Sequence, residues 1–234
     1  MQLNSKIGFV CPCKVEYKSC RDNLNLDNEK QVKGRTISFL NRDKMQLIAI
    51  LAGPGKIQCA SAAQLLIDKY NLDYIIDVGA AGSLSNDVKI FDTICVERAY
   101  EYDVLNNDFN NIPRDLITKT DLHDNPKMKE VIEGISKEPY NIRIGNIACG
   151  EMNVNNKRLR KKLYQKLGAI GANWETSAVL KVAELNNMKS LSFRVITDQA
   201  GEAMEENLMK NWEEALDILF QHINDFINIF FKQE

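Results

Sequence analysis

Two hydrophobic rhythms alternate along the chain. Short apolar runs mark strands at 6–11 (KIGFVC), 36–40 (TISFL), 45–51 (MQLIAIL), 74–82 (YIIDVGAAG), 92–103 (DTICVERAYEYD), 142–149 (IRIGNIAC) and 190–198 (SLSFRVITD). Between them lie helical patterns at 56–70, 126–137, the basic 156–167 and 176–187, the last entered from AIGANWE at 169–175. Gly53-Pro54-Gly55 breaks the chain just before the helix at 56–70. The C-terminal pattern is the longest. Leu208, Trp212, Ala215, Leu216, Leu219, Ile223, Phe226, Ile227 and Phe230 share one helical face, as a helix packed on a sheet requires. Strands alternating with helices predict a three-layer α/β/α fold on a central mixed sheet. No linker, repeat or low-complexity stretch divides 1–234, so a single domain is expected. The polar, Asn-rich stretch 104–115 (VLNNDFNNIPRD) reads as a flexible loop or lid.

Composition narrows the partners. A formal charge of −2, with 44% hydrophobic and 26% charged residues, is ordinary for a globular protein and offers no basic surface for nucleic acid or anionic membrane. No apolar run approaches the roughly 20 residues that span a bilayer. The opening MQLNSKIGFVCPCK has too short an apolar core for a secretory signal, so a cytoplasmic location is expected. Six cysteines, at 11, 13, 20, 59, 95 and 149, form no CxxC pair, and there are two histidines, His123 and His222. That spacing supports no zinc site, and no metal or organic cofactor is implied. Free, buried thiols are the expectation, with Cys11-x-Cys13 the pair that leaves a redox role open.

Three carboxylates sit at strand ends or just beyond them: Glu16 in the loop after the first strand, Glu175 where GANWE meets a helix, and Asp198 closing SLSFRVITD. Singly, each suits a helix cap, a turn or a solvated loop. Jointly they point to one cleft, because open α/β sheets bind ligands at the carboxyl ends of their strands. Gly79 and Gly82 in DVGAAG let backbone approach a ligand closely. The turn is neither a dinucleotide fingerprint nor a Walker loop, and without G-x-S-x-G no Ser-His-Asp arrangement can be assembled.

The segments ILAGPGKIQCASAAQLLI, DYIIDVGAAGSL and NWETSAVLKVAELNNMKSLSFRVITDQAG, with the opening KIGFV…E, resemble the nucleoside phosphorylase/nucleosidase family. Within it the chain is most similar to the branch that acts on 5′-methylthioadenosine and S-adenosylhomocysteine. The likeness covers most of the chain and is weakest over 104–141. It implies the family's fold and cleavage of the N-glycosidic bond of a small-molecule purine nucleoside. By position, Glu16 would hold the attacking water, Glu175 the ribose 2′- and 3′-hydroxyls, and Asp198 the proton for purine N7. Arg194 falls near the nucleophile side, and Val154 where the family's backbone meets the adenine edge. Gly82 belongs to the glycine turn beside the substrate. Departures are local. Trp174 stands where the family has methionine, Asn153 where it has a stacking aromatic, Ala80 where serine is common, and the first loop is CPCKVE with Lys14.

The residue types suit the chemistry. Bond cleavage builds positive charge on the ribose and negative charge on the base, so an acid at N7 and a carboxylate under the sugar both assist. A carboxylate that orients water adds positioning. Phosphorylases of this fold hold phosphate with arginines near the glycine turn and in the first loop. Neither place has arginine here, so water is the expected nucleophile. Phosphorolysis, and nucleoside binding without turnover, remain the alternatives. The resemblance also implies a homodimer, with Phe109 and Pro113 as candidates to close a neighbour's 5′ pocket.

Overall fold

The computed structural model describes residues 5–42, 45–105, 109–135, 139–201 and 204–231. Residues 106–108 of the Asn-rich loop and the end of the helix expected over 126–137 lie outside them. In chain order the elements are β1 (Ser5–Cys11), α1 (Lys14–Leu24), β2 (Asn28–Val32), β3 (Arg35–Arg42), β4 (Met45–Leu51), α2 (Lys56–Tyr70) and β5 (Tyr74–Ser83). There follow β6 (Thr93–Glu101), β7 (Ile117–Lys119), α3 (Pro126–Ile135), β8 (Ile142–Cys149), α4 (Lys157–Leu167), β9 (Ala169–Asn173), α5 (Thr176–Leu185), β10 (Lys189–Gln199) and α6 (Met204–Phe230). Every strand and helix expected from the hydrophobic pattern is present.

Four elements were not among the expected strands and helices, one of them β9 in the run that leads into α5. Helix α1, KVEYKSCRDNL, buries Tyr17, Cys20 and Leu24 at helical spacing, but with Glu16 among them the apolar face is short and broken by a charge. Strand β2, NEKQV, is exposed or half-buried throughout and forms a polar hairpin arm on β3, as suits a sheet edge. Strand β7 is three residues long. Left-handed residues stop the helices that precede tight returns: Asn25 after α1, Asn71 after α2 and Gly168 after α4.

The strands form one mixed sheet in the order β10-β6-β8-β9-β5-β1-β4-β3-β2, and β10 also pairs with β5. Strands β5, β10, β6, β8 and β9 therefore close on one another, while β1, β4, β3 and β2 continue outward as an open sheet. Strand β5 belongs to both halves. On one edge it pairs with β10 from Tyr74 to Ser83. On the other it pairs with β1 as far as Asp77 and with β9 only from Gly82. The interval between is a split in the sheet at strand carboxyl ends, the kind of crevice where α/β folds bind ligands.

Side-chain alternation sorts the core onto two faces. Ile7, Phe9 and Cys11 of β1, with Leu191, Phe193 and Val195 of β10, pack with α1, α3 and α6. Val10, Ile48, Ile50 and Ile75 face α2 and α5 on the opposite side. Phe226 of α6 is fully buried, tilted on Phe193 at 5.5 Å between ring centroids and stacked on Phe230 at 5.3 Å.

All six cysteines are free, and five are buried, Cys13 being half-buried. Burial pushes the Cys11 and Cys13 thiols well above their ordinary range, Cys11's the more so for facing Cys20. Thiolate is scarce there, which argues against redox exchange at this pair.

Phe226 anchors the longest helix, so Phe226→Ala should cost about 3–5 kcal/mol. Urea unfolding followed by circular dichroism measures it, and a cost below about 1 kcal/mol would show that α6 is not anchored there.

Candidate active site

Glu16 lies not in a loop, as the sequence suggested, but in the first turn of α1, and is 4% exposed. Its Oε2 accepts the Cys13 N–H at 2.9 Å, one half of a capping box. Its Oε1 reaches across to the Ala80 N–H of β5 at 2.9 Å. A side chain thus takes the backbone donor that the split between β1 and β9 leaves without a strand partner. Gly79 permits the approach. A Cβ there would stand 2.4 Å from Glu16 Oε1 and 2.7 Å from Arg194 Nη1.

Arg194 on β10 is fully buried. Its guanidinium grips Asp77 of β5 in a bidentate pair, with Nε 2.9 Å from Oδ2 and Nη2 on Oδ1. Ser192 and the Thr176 hydroxyl also donate to Asp77, at 2.7 and 2.6 Å. The Asn173 amide satisfies the network with its oxygen toward Arg194, 2.9 Å from Nε. Burial works against the Arg194 charge, but Asp77, Glu175 and Glu16 outweigh it and raise its pKa further.

Glu175 is the N-cap residue of α5 and is 7% exposed. Its Oε1 accepts the Gly55 N–H at 3.2 Å, and its Oε2 stands 3.7 Å from Arg194 Nη1. Burial pushes its pKa up to about 7, Arg194 opposes the rise and Glu16 adds to it. Glu16 is likewise raised by burial against the pull of Arg194.

Asp198 sits just past a register irregularity in β10, between Ile196 and Asp198, which re-aims the strand end. Its Oδ2 accepts from the Thr197 hydroxyl at 3.0 Å. Its Oδ1 is buried and has no hydrogen-bond partner among the described residues. Burial raises its pKa to about 6, and the Thr197 bond only partly offsets that. Gly82 gives it room, since a Cβ there would come within 2.8 Å of Oδ1. Asp198, Gly82, Tyr102, Met152, Asn153, Val154 and Trp174 line a hollow of about 40 Å³. Across its rim the Trp174 indole Nε1 donates to Asn153 Oδ1 at 3.2 Å.

The expected residues therefore fall into adjoining groups. Glu16, Ala80, Glu175 and Arg194 form a charged cluster over the split in β5. Asp198, Gly82, Trp174, Asn153 and Val154 form the hollow beside it. The Ala80-to-Gly82 segment and the neighbours Trp174 and Glu175 join the two. Phe109 is a correction. It is buried in its own chain, in a cluster with Tyr102, Val154 and Leu163, and Lys162 lies over its ring at 4.7 Å, so it is not free to enter a neighbour. Pro113 is exposed.

Sequence reasoning missed Asp77, Ser192, Thr176 and Asn173. The available signal was polarity at alternate positions of otherwise apolar strands: Asp77 in YIIDVG, Ser192 and Arg194 in SLSFRV. It also missed a rim lysine. Lys56 Nζ contacts Glu101 at 2.6 Å and Asp103 at 2.7 Å, while its N–H donates to Glu151 at 2.6 Å.

Replacing Asp77 with Asn leaves a buried guanidinium undercompensated, so the variant should be destabilised by about 3–5 kcal/mol in urea. An effect under about 1 kcal/mol would deny the pair this role. Glu175 and Asp198 hold protons more tightly folded than unfolded. Their contribution to stability is full below their ordinary carboxylate values, and is lost as pH rises through about 6 for Asp198 and about 7 for Glu175. Glu175→Gln should flatten that decline, gaining in melting temperature over the native chain at pH 8 more than at pH 4. Parallel pH curves for the two proteins would contradict the assignment.

Comparison with known proteins agrees with this geometry. The family model described as the phosphorylase superfamily matches residues 6–228. A 5′-methylthioadenosine/S-adenosylhomocysteine nucleosidase of Buchnera aphidicola is 27% identical over 96% of each chain. One from Thermotoga maritima is 29% identical over 68% of this chain and 69% of its own. Among solved structures, such a nucleosidase from Helicobacter pylori superposes with a TM-score of 0.85 at 19% identity, covering 96% of this chain and 98% of that one. The futalosine hydrolase of the same organism gives 0.85 at 20% identity, over 96% and 97%. With residues 6–228 matched, the chain belongs to the phosphorylase superfamily.

Proposed function

We propose that the chain hydrolyses the N-glycosidic bond of a 5′-substituted adenine nucleoside, of the methylthioadenosine and S-adenosylhomocysteine class, to free base and a ribose derivative. The observation that carries this is Asp198: a buried carboxyl with one oxygen unpartnered, raised to about 6, at the wall of a hollow whose Trp174 directly precedes Glu175 in the chain. Such a group keeps its proton up to about pH 6 and can pass it to purine N7 as the bond breaks. Glu175 accepts from the ribose hydroxyls, and those bonds strengthen as the sugar gains oxocarbenium character. Glu16, fixed at both oxygens by backbone N–H groups, orients the water. Val154 lines the base hollow, with Asn153 and Trp174 at its rim and Gly82 and Ala80 as the backbone floor. Arg194 acts through its neighbours as a positioning residue, since it is engaged by Asp77 and 3.7 Å from Glu175.

Water is favoured over phosphate by the charge at the turn. The guanidinium beside Ala80 is already paired with Asp77 and flanked by Glu175 and Glu16. Lys14 lies exposed on α1. A phosphate dianion placed there would meet carboxylates in place of free cations. The adenine and the 5′ group rest on the curated relatives, because at 19–20% identity the structural neighbours speak for the fold alone.

The same reading takes 1–234 as one domain, homodimeric and cytoplasmic. Exposed Ile57, Val104 and Met152 adjoin the rim residues Lys56, Asp103 and Glu151, and their apolar surface supports self-association at the cleft mouth. Light scattering of the native chain should give a dimer, and a monomer at micromolar concentration would remove that part.

Incubation with methylthioadenosine should release adenine and free methylthioribose at the same rate with and without phosphate. Strict phosphate dependence, with a sugar-1-phosphate product, would make the enzyme a phosphorylase. Asp198→Asn should lower kcat by about 10² or more, and near-native turnover would rule out the acid. The pH profile of kcat/KM should be bell-shaped, with limbs near 6 and 7 from the titrations of Asp198 and Glu175. A profile flat from pH 5 to 8 would show that neither carboxyl governs the free enzyme.

A further inference from the structure

The hollow beside Asp198 is small. At about 40 Å³ it has room for a water, far from the several hundred Å³ of a small-molecule pocket. A bicyclic base can enter only by displacing a wall. Tyr102, Val154, Asn173 and Asp198 are buried and cannot yield cheaply. The walls that face solvent are Met152, 51% exposed, and Trp174, 37% exposed. Of these, Trp174 has the aromatic face. Its backbone is held between Asn173, in the Arg194 network, and Glu175, the N-cap of α5. Its ring is held by one bond, from Nε1 to Asn153 Oδ1. That bond uses the only polar group of the indole, so both ring faces are left for dispersion contacts.

We infer that Trp174 is the base-stacking and base-selecting residue of this chain, and that Asn153 is the tether that sets its ring. The indole moves off the hollow to admit a purine, then lies on the purine face. Asn153 pre-orders it and so lowers the entropy lost on binding. A π-face reads ring area, not exchangeable hydrogen-bond edges. The residue therefore favours purines over pyrimidines and leaves discrimination at the 6-position to the backbone near Val154. This rests on the nucleoside reading above.

The chain has two tryptophans, Trp174 and the half-buried Trp212, so emission can report on the contact directly. Adenine is the probe. It should quench native emission saturably, and the response should vanish in Trp174→Phe, where Trp212 alone emits. Trp174→Ala should weaken adenine binding and raise KM for methylthioadenosine about tenfold, while Trp174→Phe stays within about threefold of native. Asn153→Ala, which frees the ring but leaves it in place, should fall between them. Exposure of Trp174 makes these variants safe for folding, and an unchanged urea midpoint checks it. Quenching that persists in Trp174→Phe, or adenine affinity unchanged in Trp174→Ala, would overturn the inference. The two readings fail separately. Adenine quenching of Trp174 without hydrolysis would refute the enzyme and keep the stacking contact. Normal hydrolysis with unaltered KM in Trp174→Ala would do the reverse.

Discussion

A guanidinium held at 1% exposure is tolerable only if its charge is matched at contact distance, and the site is arranged around meeting that demand. Arg194 and Asp77 come from strands paired side by side. The β5–β10 register sets Arg194 opposite Gly79 and Ser192 opposite Asp77. Past the register shift between Ile196 and Asp198, the same two strands set Asp198 opposite Gly82. One ladder therefore fixes both the buried pair and the acid that lies at the base hollow. The charge of Arg194 then moderates the burial cost of Glu16 and Glu175, so two carboxylates that would otherwise repel each other share one small space. A slip of one residue in this ladder would turn every one of these side chains to the other face.

The second constraint is the split along β5. A continuous sheet would occupy every backbone donor with a neighbouring strand. Between β1 and β9 that is impossible, and Glu16 supplies the missing acceptor from a helix. The group proposed to hold water is thus also the group that closes the sheet's own hydrogen-bond account. This explains why both its oxygens are fixed and why its neighbour must be glycine. Asp198 is the opposite case, with one oxygen bound and one left open. Burial raises both carboxyls, but at Glu16 the two N–H donors and Arg194 pull back toward the anion, whereas at Asp198 the Thr197 hydroxyl alone opposes the rise. The two environments assign opposite tasks to the same functional group.

Much of this was legible in the chain, for identifiable reasons. β1, β4, β5 and β10 are buried on both faces and read as apolar runs. α6 carries its period over many turns and cannot be mistaken. The acids stood out because each interrupts or ends such a run. What escaped had either little hydrophobic contrast or a misleading one. In β2 the side chains are exposed or half-buried, so no period appears, and in α1 the apolar face is only Tyr17, Cys20 and Leu24. Asp77, Ser192 and Arg194 alternate with apolar residues, a pattern normally produced by a strand with one wet face. Here that face is dry and the polar groups satisfy one another. Position in the sequence cannot distinguish water from a partner 117 residues away. The placement of Glu16 in a loop failed for the same reason, because its capping role depends on a helix that pattern alone did not reveal.

In the proposed mechanism, chemistry and selectivity are carried by different parts of the structure. Glu16, Glu175, Arg194 and Asp77 sit on strands or at helix starts, cross-linked by short bonds that leave them little freedom. The base wall is built from residues 152–154 and from Trp174, a segment outside the strands and a side chain that reaches into solvent. Moving the wall costs a few exposed contacts, whereas moving the charged cluster would strand a buried ion. The rigid half can keep cleaving the same kind of bond while the rim changes the nucleoside that is admitted. In this chain the rim change is the pair Trp174 and Asn153, and neither touches the charges that the rest of the site cannot do without.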